Sequence, residues 1–433
     1  MPHAPATVER PPTAVWAVVE IRDDGTLGRT EVVSSARRPD GTTLGHGTPA
    51  ADAAGRTVTV DLTTRLGLVQ AAGGHLHEAR RTLTDALSLS RAGPQAEACL
   101  GPLALIEAFL GRLSRAAPHA DEVLRTSDTR SVAAAHARVA KAWIHLERAE
   151  FTESEQCLER VTSEPVQSPG PWLETARVLA EAQLLTARCQ PDAAVGLLAA
   201  GVDTTEIAPA SGWISGVLDA ARADALLATG EPRRALAAVT PLPRRATVEA
   251  SVAAAAARRD IGDVRGASAV LGAVVEALDA SPLPLQVRAR LLESRLADET
   301  GDHRRSWHLV DRALRSAEAE QLWTPLRDDW RWLRAFLDRE PHLMHRHRAF
   351  IVGHDAIDVP RSQQMTSPPG SVLTQRECEV LELLAQLYST EEIAQTLYVS
   401  ANTVKTHVKG IFGKLCVSRR ADAVRRGRAL GLC

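Results

Sequence analysis

Between residues 60 and 345 one frame recurs seven times, and it restricts the chain to helices that reverse on themselves. A glycine or other turn-like residue stands at Gly74, Gly111, Ala149, Cys189, Gly230, Gly262 and Gly301, at steps of 37, 38, 40, 41, 32 and 39 residues. Five residues on comes a small side chain: Ala79, Ala116, Ser154, Ala194, Ala235, Ala267 and Ser306 in turn. Nine on come Leu83, Ala120, Leu158, Leu198, Val239, Leu271 and Val310. The turn residue lets the chain reverse, and the small residue lets a partner helix approach closely. The residue four further on shares that face and buries against the same partner. Steps of this length fit a two-helix unit with variable loops. Aromatic residues are only 3% of the chain and apolar residues 45%, with Ala, Leu and Arg dominant, which favours packed helices over sheets.

The copy that runs Gly74-His75-Leu76-His77-Glu78-Ala79 and on through Leu83 and Ala86 resembles the second helix of a tetratricopeptide repeat. The Trp and Tyr of that repeat's first helix are mostly missing, so the resemblance is one of architecture. Whether the hairpins stack regularly or form an irregular bundle, residues 59–351 read as an all-α domain built for contacts. A stacked array would offer a concave surface to a protein or small-molecule effector that the sequence does not name. Ahead of it, residues 1–58 are rich in Pro, Gly, Thr and Asp and read as either a β-hairpin or disordered chain. The hairpin would pair Val15–Ile21 with Thr30–Val33 through a turn at Asp24-Gly25. Residues 352–371 read as a linker, polar and Pro-rich from Pro360 to Gly370.

Residues 372–433 follow a different grammar. Leu373-Thr374-Gln375-Arg376-Glu377-Cys378 is a capping box in which Thr374 caps and Glu377 reaches back. The pattern returns at Tyr388-Ser389-Thr390-Glu391-Glu392-Ile393 and in part at Val399-Ser400-Ala401-Asn402-Thr403-Val404. Helix starts at 374, 389 and 400 leave room for only a short second helix and a tight turn, which predicts a helix-turn-helix from Ser389 to Val408. On the third helix Val404, Val408, Ile411, Phe412 and Leu415 gather on one side, and Asn402, Lys405, Thr406 and Lys409 on the other. That polar face suits phosphates and major-groove base edges. The chain has four lysines, Lys141, Lys405, Lys409 and Lys414, three of them within ten residues of one another. Residues 400–420 carry five basic side chains and no acidic one, although the whole chain has a net charge of −2.

These residues resemble the LuxR-type helix-turn-helix family of bacterial regulators. The matching text is Leu373-Thr374-Gln375-Arg376-Glu377, Glu392-Ile393-Ala394, Val399-Ser400, Thr403-Val404-Lys405-Thr406-His407-Val408 and Lys414-Leu415, then Ala423-Val424-Arg425-Arg426 and Ala429-Leu430-Gly431-Leu432. The resemblance implies a four-helix domain whose third helix enters the major groove of double-stranded DNA. It implies base reading through Lys405, Thr406 and Lys409, to which the polar face of the third helix adds Asn402, and Ser400, Thr403, His407, Lys414, Arg419 and Arg420 are placed for phosphates. It also implies that the fourth helix pairs two copies into a homodimer. One departure is Leu387, where the family usually has Gly. Helical repeats before such a module resemble the C-terminal half of large ATP-dependent LuxR-family regulators, but no GxxxxGK loop is present here.

The remaining motifs are exclusions. No GxSxG, HExxH or CxxC occurs, so neither a catalytic constellation nor a cofactor or metal site is expected, and the chain reads as a non-enzyme. His342, His345 and His347 read as a solvated helix end, with no carboxylate or Cys at ligand spacing beside them. Asp23-Asp24 lacks the alternating strands and helices of a phospho-receiver domain. Without a signal-like N-terminus or an apolar run of membrane-spanning length, the expectation is a cytoplasmic regulator with no membrane partner. The rival reading is an interaction scaffold in which the repeats do the work and the module binds DNA weakly or not at all.

Overall fold

The computed structural model describes residues 16–21, 27–33, 49–90, 92–166, 169–200, 212–239, 247–327 and 329–354, then 373, 375–386, 388–397, 399, 403–405, 407, 408, 411, 420 and 423–425. Of the two readings of the N-terminal segment, it shows the hairpin: β1 (Trp16–Ile21) pairs antiparallel with β2 (Leu27–Val33). Trp16 faces Val33 and Val19 faces Thr30 in register, with a shift before Ile21 meets Leu27. The expected turn residues Asp24 and Gly25 lie outside the described residues.

Seven helical hairpins follow: α1–α2 (Pro49–Ala72, Leu76–Leu89), α3–α4 (Pro94–Phe109, Leu113–Thr126), α5–α6 (Val132–Glu147, Phe151–Ser163), α7–α8 (Pro171–Ala187, Pro191–Ala200), α9–α10 (Gly212–Ala228, Pro232–Ala238), α11–α12 (Val248–Asp260, Val264–Leu278) and α13–α14 (Leu283–Glu299, His303–Glu320). The first helix starts at Pro49, earlier than the residue-59 boundary expected from periodicity.

Each of the seven residues picked from the recurring frame is in the left-handed region, with φ between 60° and 86°. At each one the same two bonds close the turn. The left-handed residue donates to the carbonyl three back, and its successor to the carbonyl five back, as when Gly74 N–H meets Ala71 O at 3.1 Å and His75 N–H meets Gln70 O at 2.9 Å. All seven small residues five positions on are 0% exposed. Where that residue is Ser, its hydroxyl is satisfied: Ser154 Oγ donates to Ala142 O at 2.9 Å, and Ser306 Oγ lies 2.9 Å from Ser294 Oγ. The residues nine on are buried without exception. An eighth turn of this kind, at Gln321 (φ 58°), ends α14.

Three of the eight turns place a side chain where L residues are strained, Ala149 and Cys189 at φ 60° and Gln321 at φ 58°. Ala149→Gly is therefore expected to raise stability by about 0.5–1 kcal/mol, because relief of left-handed strain exceeds glycine's entropic cost. Chemical denaturation measures this, and a loss of stability would mean that the packing of the Ala149 methyl outweighs the strain.

The first helices of the hairpins form an inner layer. Helices α3, α5, α7 and α13 are buried around most of their circumference, whereas the second helices bury one stripe each. The array does not open into a long groove. Its later members fold back onto the C-terminal ends of the inner helices, whose last carbonyls have no partner within the helix. Leu283 N–H donates to Leu110 O at 3.0 Å, Trp323 N–H to Glu147 O at 2.6 Å, and Arg327 Nη2 to Ala187 O at 2.6 Å. Thr324 Oγ1 donates to Leu146 O. This closure borders a half-open lumen of about 400 Å³ lined by α3, α5, α7, α9, α11, α13 and the short α15 (Thr324–Arg327).

The end of the domain is clamped by α16 (Trp330–Arg339), α17 (Pro341–Arg346) and α18 (Arg348–His354). Here the reading of three solvated histidines needs correction. His342 and His345 are exposed, but His347 is buried, with Nε2 3.1 Å from Asp311 Oδ1 and Nδ1 3.1 Å from Glu318 Oε2. The carboxylates come from α14, some thirty residues upstream, beyond the reach of a spacing argument. Among the described residues no group of three His, Cys, Asp or Glu side chains is placed to hold a metal ion.

A second buried histidine carries a pH signature. His136 sits inside α5, its Nδ1–H donating to Val132 O at 2.8 Å, and burial lowers its pKa from 6.5 to about 4. A base with a depressed folded pKa is protonated first in the unfolded chain. Stability is thus complete above pH 6.5 and is lost as pH falls from there towards 4. Urea melts across that window should show the slope, and His136→Phe should flatten it. An unchanged slope in the variant would assign the acid lability to other groups.

Candidate nucleic-acid interface

In the C-terminal module α19 (Gln375–Ala385) precedes α20 (Thr390–Thr396). The second expected capping box is complete: Ser389 N–H donates to Glu392 Oε2 at 2.7 Å and Glu392 N–H to Ser389 Oγ at 3.3 Å. The Ser389 backbone N–H, with its hydroxyl, holds the Glu392 carboxyl below the usual range. Thr374 and Ser400, the other two caps, lie outside the described residues. Both helices end in a bond to the carbonyl five back, Tyr388 N–H to Leu383 O at 3.1 Å and Val399 N–H to Ala394 O at 3.0 Å. The first of these spans position 387, so the closing bond forms although Leu stands where the family usually has Gly.

Two arginines tie the helices together through main-chain acceptors. Arg376 Nη2 on α19 donates to Leu397 O at 2.6 Å, just past the end of α20. Arg420 Nη2 donates to Leu384 O at 3.0 Å, in the last turn of α19. Cations at helix C-termini satisfy orphan carbonyls and oppose the helix dipole. The sequence reading missed Arg376 as a positioning residue. Arg420, expected at a phosphate, is engaged in the fold through its bond to Leu384 O.

The module has its own core of Leu373, Val380, Leu381, Leu384, Ile393, Ala394, Val404, Ile411 and Ala423. Residues 403–405, 407, 408 and 411 are helical, and so are 420 and 423–425. Val404 and Ile411 are fully buried and Val408 packs against the core, so the expected inner face of the third helix points inward wherever it is described. Lys405, next in sequence to Val404, is exposed, and Thr403 and His407 are half-buried at the edge. Of the other expected DNA contacts, Asn402, Thr406, Lys409, Ser400, Lys414 and Arg419 lie outside the described residues.

A short capped helix and, a few residues on, a further helical segment docked by its apolar face, with an exposed lysine, make a helix-turn-helix domain of the DNA-binding class. Residues 371–426 match the family described as bacterial regulatory proteins, luxR family. The chain is therefore a DNA-binding transcription regulator that carries a LuxR-family helix-turn-helix domain over that segment. Among solved structures, a tetratricopeptide repeat protein from Parabacteroides merdae ATCC 43184 is similar over 60% of this chain and 93% of its own, at 15% identity and a TM-score of 0.34. The repeat architecture rests on the turns and buried frame described above. No helix among the described residues is long and apolar enough to cross a membrane.

Proposed function

We propose that the chain binds a specific operator as a homodimer, reads bases through Asn402, Lys405, Thr406 and Lys409, and is controlled through its repeat domain. The observation that carries the reading is the split third helix, with Val404 and Ile411 at 0% exposure and Lys405 exposed beside them. Phosphate contacts are assigned to Ser400, Thr403, His407, Lys414 and Arg419, with Arg420 serving chiefly to hold α19. Dimerisation falls to the fourth helix, around residues 423–425. In this reading the domains run 59–351 for the repeats, 352–371 for the tether and 372–433 for the DNA-binding module.

Sequencing of DNA fragments retained by the purified full-length protein tests the reading. The expected result is one shared motif in two half-sites, spaced by about one helical turn or a multiple of it, as dimeric helix-turn-helix proteins require. Fragments with no common sequence would leave the repeats as the working part of a scaffold.

Control is tested by comparing the full chain with a 366–433 fragment, once circular dichroism has shown that the fragment is helical. A domain of about sixty residues is only marginally stable, so low temperature is needed. At matched salt and measured dimer state, the two should differ in operator affinity, or the full chain alone should respond to cell extract. Equal affinity and no response would remove the repeats as a switch.

A further inference from the structure

We propose that the lumen of the repeat domain binds a small organic cation with an aromatic or apolar body, with Glu249 as its counter-ion and an aromatic cluster as its wall. The inference rests on the reading that the repeats take an input, and it names the chemistry of that input.

The lumen has the scale of a small-molecule site, since such sites span roughly 300–1,000 Å³. A second cavity of about 350 Å³ adjoins it, and Glu249 and Pro282 line both. The walls of the larger cavity come mainly from inner helices fixed by the closure contacts, so that space is pre-formed, while the smaller is lined by turn residues and the ends of neighbouring helices.

Aromatic side chains are scarce in this chain, yet four of them meet here. Phe109 lies 5.0 Å from Trp143, 5.3 Å from Trp172 and 6.3 Å from Trp213 between ring centroids, all edge to face. Phe109 and Trp143 line the larger cavity and Trp213 the smaller. Trp213 is also held in place, because its ring packs so closely on the Gly74 turn that a Cβ there would lie 2.5 Å from it. Ring faces carry partial negative charge and attract cations.

Charge points the same way. Five carboxylates and three guanidinium groups line the larger cavity. The guanidinium groups are committed to protein acceptors: Arg288 to Asp224 at 2.8 Å, Arg259 to Asp260 at 2.7 Å, and Arg327 to Ala187 O at 2.6 Å. Glu249 differs from the paired acids. Its hydrogen bonds come from the Trp213 indole, the Thr247 hydroxyl and its own backbone, with no basic side chain among them, and burial pushes its carboxyl up. An ammonium group at this carboxylate would supply the missing charge while its body lies against the rings. An anion would meet net negative charge.

The test uses the full-length protein and three probes that share one ring and differ in charge: phenethylammonium, 2-phenylethanol and phenylacetate. Binding is followed by calorimetry and by tryptophan emission, without DNA. The ammonium should bind about ten-fold more tightly than the alcohol, the factor that one desolvated cation–π or charge-assisted contact supplies, and the carboxylate should bind more weakly than either. Glu249→Gln should bring the ammonium to the alcohol's affinity and leave the alcohol unchanged. Ala221→Trp, which fills the lumen, should abolish binding of all three, so the site remains testable if the Gln variant fails to fold. Equal or tighter binding of phenylacetate, an unchanged preference in Glu249→Gln, or no binding of any probe at millimolar concentration overturns the proposal. Because DNA is absent, such a failure leaves operator recognition untouched. Binding without any change in operator affinity would keep the site and remove only its control of the module.

Discussion

Asp311→Ala is expected to destabilise the repeat domain by about 1–3 kcal/mol, the cost of leaving a buried hydrogen-bonding group without its partner. Asp311 sits on α14 with its side chain 3% exposed, and its two oxygens serve two guanidinium groups and one imidazole. Arg346 Nη1 and His347 Nε2 approach Oδ1 at 2.8 and 3.1 Å, and Arg315 Nη2 approaches Oδ2 at 2.5 Å. Burial alone would raise this carboxyl; the hydrogen bonds from Arg346 and His347 outweigh it and hold it below the usual range. His347 is 1% exposed and cannot turn to water when the carboxylate is removed. The two residues join α14 to the segment after α17, so their loss releases the last helices from the array. Urea denaturation of the full chain measures the effect in its first transition. Asp311→Leu combined with His347→Phe should cost less than Asp311→Ala, since replacing both partners leaves no orphaned buried polar group. A loss below about 1 kcal/mol for Asp311→Ala, the scale of an exposed pair, would show that the cluster is solvated in solution.

The parts of this fold that were legible in the sequence are those with a local requirement. A left-handed turn closed by two backbone bonds selects Gly or tolerates a small substitute. The close helix approach five residues later selects Ala or Ser. Both constraints act within one hairpin, so the seven turns and their buried residues stood out as a pattern. The eighth turn escaped it because Gln321 occupies the left-handed position and Leu326 stands where the small residue would be.

What the sequence hid was pairing between distant segments. Trp323, Thr324 and Arg327 close the array by donating to main-chain carbonyls, and every residue except the last few of a helix presents the same carbonyl to its own helix. A main-chain acceptor has no side-chain signature, so the lumen could not be foreseen, nor could the gathering of Phe109, Trp143, Trp172 and Trp213 from three hairpins and the start of α9. Arg376 and Arg420 are hidden for the same reason, since Leu397 and Leu384 receive them through backbone oxygen. His347 is hidden from a spacing argument because its carboxylates lie on another helix. In the DNA-binding module, by contrast, caps and faces are again local. The Ser389–Glu392 box and the inward Val404, Val408 and Ile411 follow the sequence pattern residue by residue.

Lys405→Ala is expected to weaken operator binding by about 1–3 kcal/mol if the ammonium contacts a base edge, and Lys409→Ala by a similar amount. Lys405 is exposed while its neighbour Val404 fixes the helix, so the substitution removes a contact without disturbing the core. Helix content and melting temperature should stay at the parent values, which separates lost recognition from lost fold. The salt dependence then tells which contact was lost. A lysine on phosphate lowers affinity for every sequence alike and reduces the slope of log K against log salt by about one. A lysine on a base relaxes preference at one operator position instead. Lys405 is assigned to the second behaviour, because it lies on the outward face beside the buried Val404. Measuring parent and variant on the selected operator, and on operators changed one base pair at a time, distinguishes the two. If both single variants bind the parent operator as tightly as the unaltered chain, the third helix does not carry recognition, and the basic run between 400 and 420 is a solvated surface.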